Sequence, residues 1–557
     1  MSSDHKKDDY ELGHGGSKNE IIAPGNIEVH SGHSGHYRAG AIAEFQELTT
    51  VKQGLHQRHI QMIALAGAIG TGLFLGSGRA IARSGPLGAF LGYSVVGLAV
   101  SSVVLAVGEM GALVPLNGGQ IRYAQHFFDP AMSFANGWNQ VYSCLVSIPA
   151  EIVAAAVLVE FWTTINNAVW ITVFGLLMVI TSITFIRVYG ELEFTFSMLK
   201  IMLIVGVNIM ALVITCGGAP DHETIGFRYW RDPGAFVQYL GIGGSLGRFL
   251  GFWTTLNNAL YAYSGIENIA VAAAETKNPR RAIPMAAKRI FIRILLFYVL
   301  TIFMVGLVVP SNDPDLLRSS GNASESPFVI AAKNAGIKVV PSIINAVVLT
   351  SAWSSGNSSM LSGTRMLFGM ARYGHAPKIF TRTNRAGVPY VAAAFYSVFM
   401  CLGYMTLSST ASTVFTWLQD LVSIATLVNW IIILLIYLRF LYACKKQGID
   451  RHTELPWAAP LQPYTAWASL TLFVILLFTG GYATFIHGQW SNETFVSSYL
   501  NIPLILILYF GYKFYAKTKM VSLEEMPIRA FIEIYQQNPE PEEKPTKGLR
   551  RLNILWS

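Results

Sequence analysis

The chain has 557 residues, 52% of them hydrophobic and only 13% charged, with a formal net charge of +8. An average soluble domain carries about 25% charged residues, so the composition excludes an ordinary globular class and points to a membrane protein. The basic excess then belongs to loops beside a membrane, and nucleic acid is not called for as a partner. Four cysteines, Cys144, Cys216, Cys401 and Cys444, lie far apart without CxxC or histidine company. Three sit inside apolar runs, and they read as core thiols with no metal or disulfide framework.

Residues 1–58 are polar and rich in Gly, His, Ser and charge. They contain no apolar segment of secretory type and predict a disordered tail. A bilayer core of about 30 Å takes about 20 helical residues. Twelve apolar runs follow, near 60–82, 86–107, 131–159, 168–186, 194–216, 249–274, 290–310, 339–371, 390–407, 414–438, 466–486 and 499–515. Residues 59–516 are therefore expected to form one all-α integral membrane domain of about twelve transmembrane helices. A C-terminal tail spans 517–557, and its Pro/Glu/Lys composition near Pro539–Lys547 predicts disorder.

An even number of crossings puts both tails on one side. With that side cytoplasmic, the inner loops collect Arg122, Arg187, Lys277, Arg280, Arg281, Lys288, Arg372, Lys378, Arg439, Lys445 and other basic residues. The outer loops hold about half as many, among them Arg83, Arg228, Arg231 and Arg248. The positive-inside rule thus predicts cytoplasmic termini. The sequons at Asn322 and Asn492 fall in outer loops as glycosylation candidates, whereas the one at Asn357 lies within a helix and should be unusable.

Run 1 contains five glycines from Gly67 to Gly78. Each costs about 1 kcal/mol relative to alanine in a helix. Close packing through small residues is one reading. The other is an unwound segment whose amides attract a carboxylate at mid-membrane. Run 6 supports the second, because Tyr261-Ala-Tyr-Ser-Gly-Ile-Glu267 places Ser264 and Gly265 beside an acidic residue near the bilayer centre. Irregular backbone is tolerated there only where it lines a cavity. The two breaks are five helices apart, which suggests an inverted repeat of helices 1–5 on 6–10 and a site for a zwitterion. Polar stripes at helical spacing agree: Asn136, Gln140, Ser143, Ser147 and Glu151 on run 3, Asn257, Tyr261, Ser264 and Asn268 on run 6, and Ser351, Ser355, Ser358 and Ser362 on run 8.

Ionisable groups inside the hydrocarbon cost at least about 2.5–3.5 kcal/mol each and need a partner or a task. Glu151 is the deepest, with proton relay, support of the breaks and local bonding as its readings. Lys200 stands about six residues into run 5, where it either snorkels to the interface or titrates. Glu109, at the inner end of run 2, reads as an anchor or inner gate, and Glu267 is placed with it. Asp420, about one and a half turns into run 10, is a selectivity candidate or an interfacial residue.

Several ordered motifs now carry a resemblance. They are Leu55-His-Gln-Arg-His-Ile60 before Gly70-Thr-Gly72, Gly108-Glu-Met110, Tyr229-Trp-Arg-Asp-Pro-Gly-Ala-Phe236, Gly247-Arg-Phe-Leu-Gly251, Ala274-Glu-Thr-Lys-Asn-Pro-Arg280, Arg372-Tyr-Gly-His-Ala-Pro377 and Gly387-Val-Pro-Tyr390. Over about residues 55–530 the chain resembles the fungal amino-acid permeases, the yeast amino-acid transporter family of the amino acid, polyamine and organocation superfamily. The resemblance implies a LeuT-like five-plus-five inverted repeat with broken helices 1 and 6 and two extra helices, importing an amino acid at the plasma membrane by proton symport with alternating access. It implies no cofactor beyond the proton gradient, and no enzyme activity. By the same analogy Ile69, Gly70, Thr71 and Gly72 hold the substrate carboxylate, Ser264, Gly265 and Ile266 its amine, Tyr261 closes over it, and Lys200 with Glu151 couples protons.

Two departures bear on substrate. Asp420 stands where many members have asparagine, and Asn429-Trp430 replaces a smaller residue. If Asp420 lines the site it repels an acidic substrate and admits a neutral, basic or quaternary-ammonium one. A carnitine- or polyamine-type permease and an amino-acid sensor of the same fold are the alternatives. Lys6, Lys7 and Lys18 offer exposed amines to ubiquitin ligase machinery, as in relatives.

Overall fold

The computed structural model describes residues 70–114, 119–184, 186–268, 279–317, 326–384 and 387–537. The N-terminal tail, Ile69, the Asn322 sequon and residues 538–557 lie outside the described residues. Among the described residues the chain is helical with no strand.

Each of the twelve predicted runs contains helix. The first is a short turn of helix, Thr71–Phe74, followed by one arm of Gly76–Leu113; together these form α1, and the second arm is α2. The arms part at Gly85, whose φ of 78° is open to glycine, with Pro86 starting the new direction. Then come α3 (Pro130–Val159), α4 (Asn167–Thr184), α5 (Ile186–Thr215), α6 (Gly244–Tyr263), α7 (Pro279–Val308), α8 (Val340–Arg372), α9 (Tyr390–Leu407), α10 (Ala411–Lys446) and α11 (Tyr464–Phe485). The last, α12, joins Asn492–Tyr499 and Asn501–Ala516 with a 40° bend.

Seven helices among the described residues are long and apolar enough to cross a membrane, or eight with the bent pair. The remainder fall short for local reasons. α4 is short, α1 is interrupted, and α6 and α8 carry the polar stripes, of which Tyr261 and Ser351 are buried while Asn268 and Ser362 are exposed. Leu98, Leu176, Met202, Ile507 and Phe514 are exposed on the perimeter, where lipid replaces water as the apolar surroundings. α3 packs against α8 and α10, while α6 and α7 pack on the α1–α2 arms.

Three expectations change. α5 begins eight residues earlier than the hydropathy run, so Lys200 stands about 21 Å along it and is fully buried; snorkelling is excluded. α10 begins at Ala411, which sets Asp420 about two and a half turns deep. Only Cys444 is a core thiol, since Cys216 and Cys401 are exposed and Cys144 is half-buried. Membrane helices can be apolar outside as well as inside, so an apolar run does not imply a core position. Asn492 is exposed at the first position of its helix, with its Oδ1 accepting a bond from Trp490 Nε1 at 2.8 Å. Asn357 lies buried inside α8, as expected.

Two carboxylates lock one end of the bundle. Glu109 Oε2 accepts from Tyr437 on α10 at 2.5 Å and from the Ala459 amide at 2.9 Å, and Arg451 binds both of its oxygens at 2.8 Å. Asp129 caps α3 through the Ala131 amide and takes Lys513 at 2.6 Å and Thr518 at 2.7 Å. The first part of the C-terminal tail is thereby packed: Val521 N donates to Phe128 O, and the helix Ile528–Gln537 buries Ile528, Phe531 and Ile532. Asp129→Ala should remove a cap worth about 1 kcal/mol and strip Lys513 of its carboxylate. A lowered unfolding midpoint in detergent is expected, with Asp129→Asn falling less. An alanine variant that unfolds with the wild type would remove Asp129 from the anchor.

Candidate functional site

The site is built where two helices are interrupted. Gly70 is extended, at φ −116° and ψ −160°, and leads into the single turn Thr71–Phe74. Glycine in this run trades helix stability for close approach. A Cβ on Gly72 would stand 2.7 Å from Tyr261 Cδ1 and 2.8 Å from Ala262 Cα, so α1 and α6 touch through it. In α6 the helix stops at Tyr263, Ser264 turns the chain, and Gly265 takes a φ of +85°. A left-handed residue at this point favours glycine strongly.

Glu151 of α3 sits between the breaks. One of its oxygens accepts from Thr71 Oγ1 at 3.0 Å, and the other from Tyr261 OH at 3.2 Å and Ser355 Oγ at 3.1 Å. Four helices, α1, α3, α6 and α8, therefore meet on one buried carboxylate. A charge in hydrocarbon is tolerable only when so surrounded.

The breaks are satisfied by side chains. Phe74 O accepts from Ser326 Oγ at 3.0 Å, and Gly76 O from Asn258 Nδ2 at 2.7 Å. Ser264 Oγ lies 2.9 Å from Thr426 Oγ1 on α10. Glu267 is buried and accepts from Asn429 Nδ2 at 3.2 Å and Trp430 Nε1 at 3.1 Å. Asn136 of α3 donates to Asn429 Oδ1 at 3.2 Å, which extends that chain to a third helix. Buried polar groups left unmatched cost free energy, so this network holds the irregular backbone in place.

Of the residues singled out by sequence, Gly70, Thr71, Gly72, Tyr261, Ser264, Gly265, Ile266 and Glu151 cluster here. Lys200 lies in the electrostatic field of Glu193 and Glu151 on the α5 side. Glu109 does not join them and belongs to the anchor above. Asp420 stands on the opposite side from Glu109 in the field of Arg79 and Arg83. Arg79 donates to Thr416 Oγ1 at 2.7 Å and to Gln419 Oε1, latching α1 to α10.

Sequence reading missed Arg79, Thr426 and Glu193. Glu193 was cut off by the late start assigned to α5, yet Glu193, Ser197 and Lys200 follow i, i+4, i+7 and all three are buried. Among the described residues no group of His, Cys, Asp and Glu is placed to hold a metal ion.

Spans packed around two interrupted helices with a mid-membrane polar cluster define a secondary transporter architecture. The fold is shared with a solved mutant of the Eremococcus coleocola manganese transporter, at a TM-score of 0.54 and 14% identity over 91% of this chain and 98% of that one. The chain belongs to the amino acid permease family, whose model matches residues 59–525; the family's members are transporters and not enzymes. It is 37% identical to the dicarboxylic amino acid permease of Saccharomyces cerevisiae over 89% of this chain and 82% of the relative. The proline-specific permease of the same yeast is 40% identical over 84% and 76%, and its lysine-specific permease 36% over 86% and 78%.

Gly72→Ala should overpack the α1–α6 contact, at a cost of about 1–3 kcal/mol. Amino-acid uptake normalised to surface protein is expected to fall at least about fivefold, since that cost falls on the two breaks together. Wild-type uptake by this variant would show that the contact is not required.

Proposed function

We propose that this chain imports amino acids at the plasma membrane by proton symport, with both termini cytoplasmic and the substrate bound between the α1 and α6 breaks. The observation that carries the reading is the Glu151 carboxylate, which ties Thr71 at one break to Tyr261 at the other. Around it, the amides following Gly70 offer a carboxylate a polar landing, and the turn at Ser264–Ile266 presents backbone toward an ammonium group. Ile69 completes the first half of that assignment by family resemblance. The same cluster supports alternating access, because rotating α1 and α6 against α3 and α8 must make and break the contacts to Glu151.

Lys200 supplies the coupling charge. It is buried on α5 with Glu151 and Glu193 in range, so movement of a proton there changes the field at the breaks. The side-chain class of the substrate is set elsewhere. Relatives named for dicarboxylic, proline and lysine transport are similar to nearly the same degree, so identity does not choose among them. Asp420 lies in the field of Arg79 and Arg83, which offsets its repulsion of an acidic substrate. Ubiquitin attachment to the tails, and glycans at Asn322 and Asn492, belong to the same reading as regulation and processing.

The test is uptake of a labelled panel of acidic, neutral and basic amino acids with carnitine and a polyamine, in cells lacking their own permeases. Amino-acid accumulation abolished by a protonophore is expected. A surface-expressed chain that accumulates none of the panel would be a sensor instead. Lys200→Ala should keep surface expression and lose concentrative uptake, whereas unchanged accumulation removes Lys200 from coupling. Asp420→Asn is expected to shift preference away from cationic substrates, and an unaltered panel would return Asp420 to a structural role.

A further inference from the structure

Beside the central cluster lies a second, unassigned one. Thr181 of α4, Leu192, Glu193 and Phe196 of α5, and Trp353, Ser354 and Asn357 of α8 line a small cavity wide enough for about one water. Its walls are apolar apart from a few polar atoms, two of which are buried without a hydrogen-bond partner: Glu193 Oε1 and Trp353 Nε1. The other Glu193 oxygen accepts from Ser354 Oγ at 2.7 Å. The residue itself is 1% exposed. Buried carboxylate oxygens are seldom left unmatched, and one that ends at a water-sized space calls for a partner there.

Glu193 stands two turns from Lys200, about 10.5 Å along the helix axis, with Ser197 between them on the same buried face. Lys200 feels Glu193 as well as Glu151. Among the described residues the charged groups acting on Lys200 are Glu193 and Glu151, and Tyr261 donates to Glu151.

We propose that Glu193 is the proton acceptor on the release side of Lys200, and that the α4–α5–α8 cavity holds the water that takes the proton onward. The Lys200 ammonium gives up one proton and becomes an amine, while the Glu193 carboxylate becomes a carboxylic acid. Water in the cavity then takes that proton toward the cytoplasmic end of α5, and the carboxylate is restored. Ser354 holds one oxygen of Glu193 so that the other faces the cavity. Glu193 is therefore a positioning and relay residue that touches no substrate. This proposal rests on the proton-symport reading above.

The experiment uses the purified full-length chain in liposomes and a radiolabelled mixture of acidic, neutral and basic L-amino acids. Two modes are compared: accumulation driven by an imposed pH gradient, and exchange against the same preloaded mixture with no gradient. E193Q is expected to keep exchange within about twofold and to lose at least about tenfold of the gradient-driven accumulation. If E193Q accumulates as the wild type does, while Lys200→Ala loses accumulation, Glu193 is not the acceptor. If the wild type itself shows no gradient-driven accumulation, the symport reading fails and takes this proposal with it. Should E193Q lose exchange and folded yield together, E193D decides. Recovery of accumulation by the shorter carboxylate supports the relay, and recovery of exchange without accumulation overturns it.

Discussion

A single buried carboxylate sets the terms for this fold. Glu151 is surrounded by hydroxyl groups from three other helices. Two of them, from Thr71 and Tyr261, stand at or beside the breaks in α1 and α6, and the third, from Ser355, comes from the unbroken α8. An ionised group at this depth needs that company, and the breaks need a bridge to hold their irregular backbone. Site and scaffold are therefore one structure. The glycines at 70, 72 and 265 are the backbone half of it, and the hydroxyls of Thr71, Tyr261 and Ser355 are the side-chain half.

Around this centre the polar residues divide by depth. On one side Arg79 latches α1 to α10 next to Asp420. On the other, Glu109 with Arg451 and Asp129 with Lys513 fasten the helix ends to following segments. Between them Glu267, Asn429 and Asn136 tie α6 through α10 to α3. The pairs at Glu109 and Asp129 fasten helix ends away from the breaks, whereas the Arg79 and Glu267 contacts join α1 and α6 themselves to α10. Among the described residues the Glu109 and Asp129 pairs bond none of Glu151, Thr71, Tyr261 and Ser355, so the ends are fastened separately from the centre.

Much of this was legible before any coordinates. Glycines that gain nothing in a lipid-facing helix, and a serine–glycine pair beside a glutamate, mark breaks because backbone conformation is a local property. The serine stripe on α8 and the stripe ending at Glu151 on α3 were visible as periodicity. Depth was the weaker part. Lys200 looked interfacial because apolar runs begin where polar residues stop, yet α5 continues through Glu191 and Glu193 for two further turns. Glu193 was hidden by the same rule. Arg79, Thr426 and the packed segment after Lys517 depend on partners far along the chain, and spacing within one helix carries no record of such partners.

The account turns on Glu151 holding the two breaks as a unit, and a double-variant cycle addresses that directly. Uptake by Glu151→Gln, Tyr261→Phe and the pair would be measured at equal surface expression. If both act through the one contact, the pair transports no worse than Glu151→Gln alone, because the Tyr261 hydroxyl bonds the Glu151 carboxylate at 3.2 Å and is left only Thr71 Oγ1 at 3.5 Å. A pair whose loss equals the product of the single losses would contradict it, since the two residues would then be acting independently.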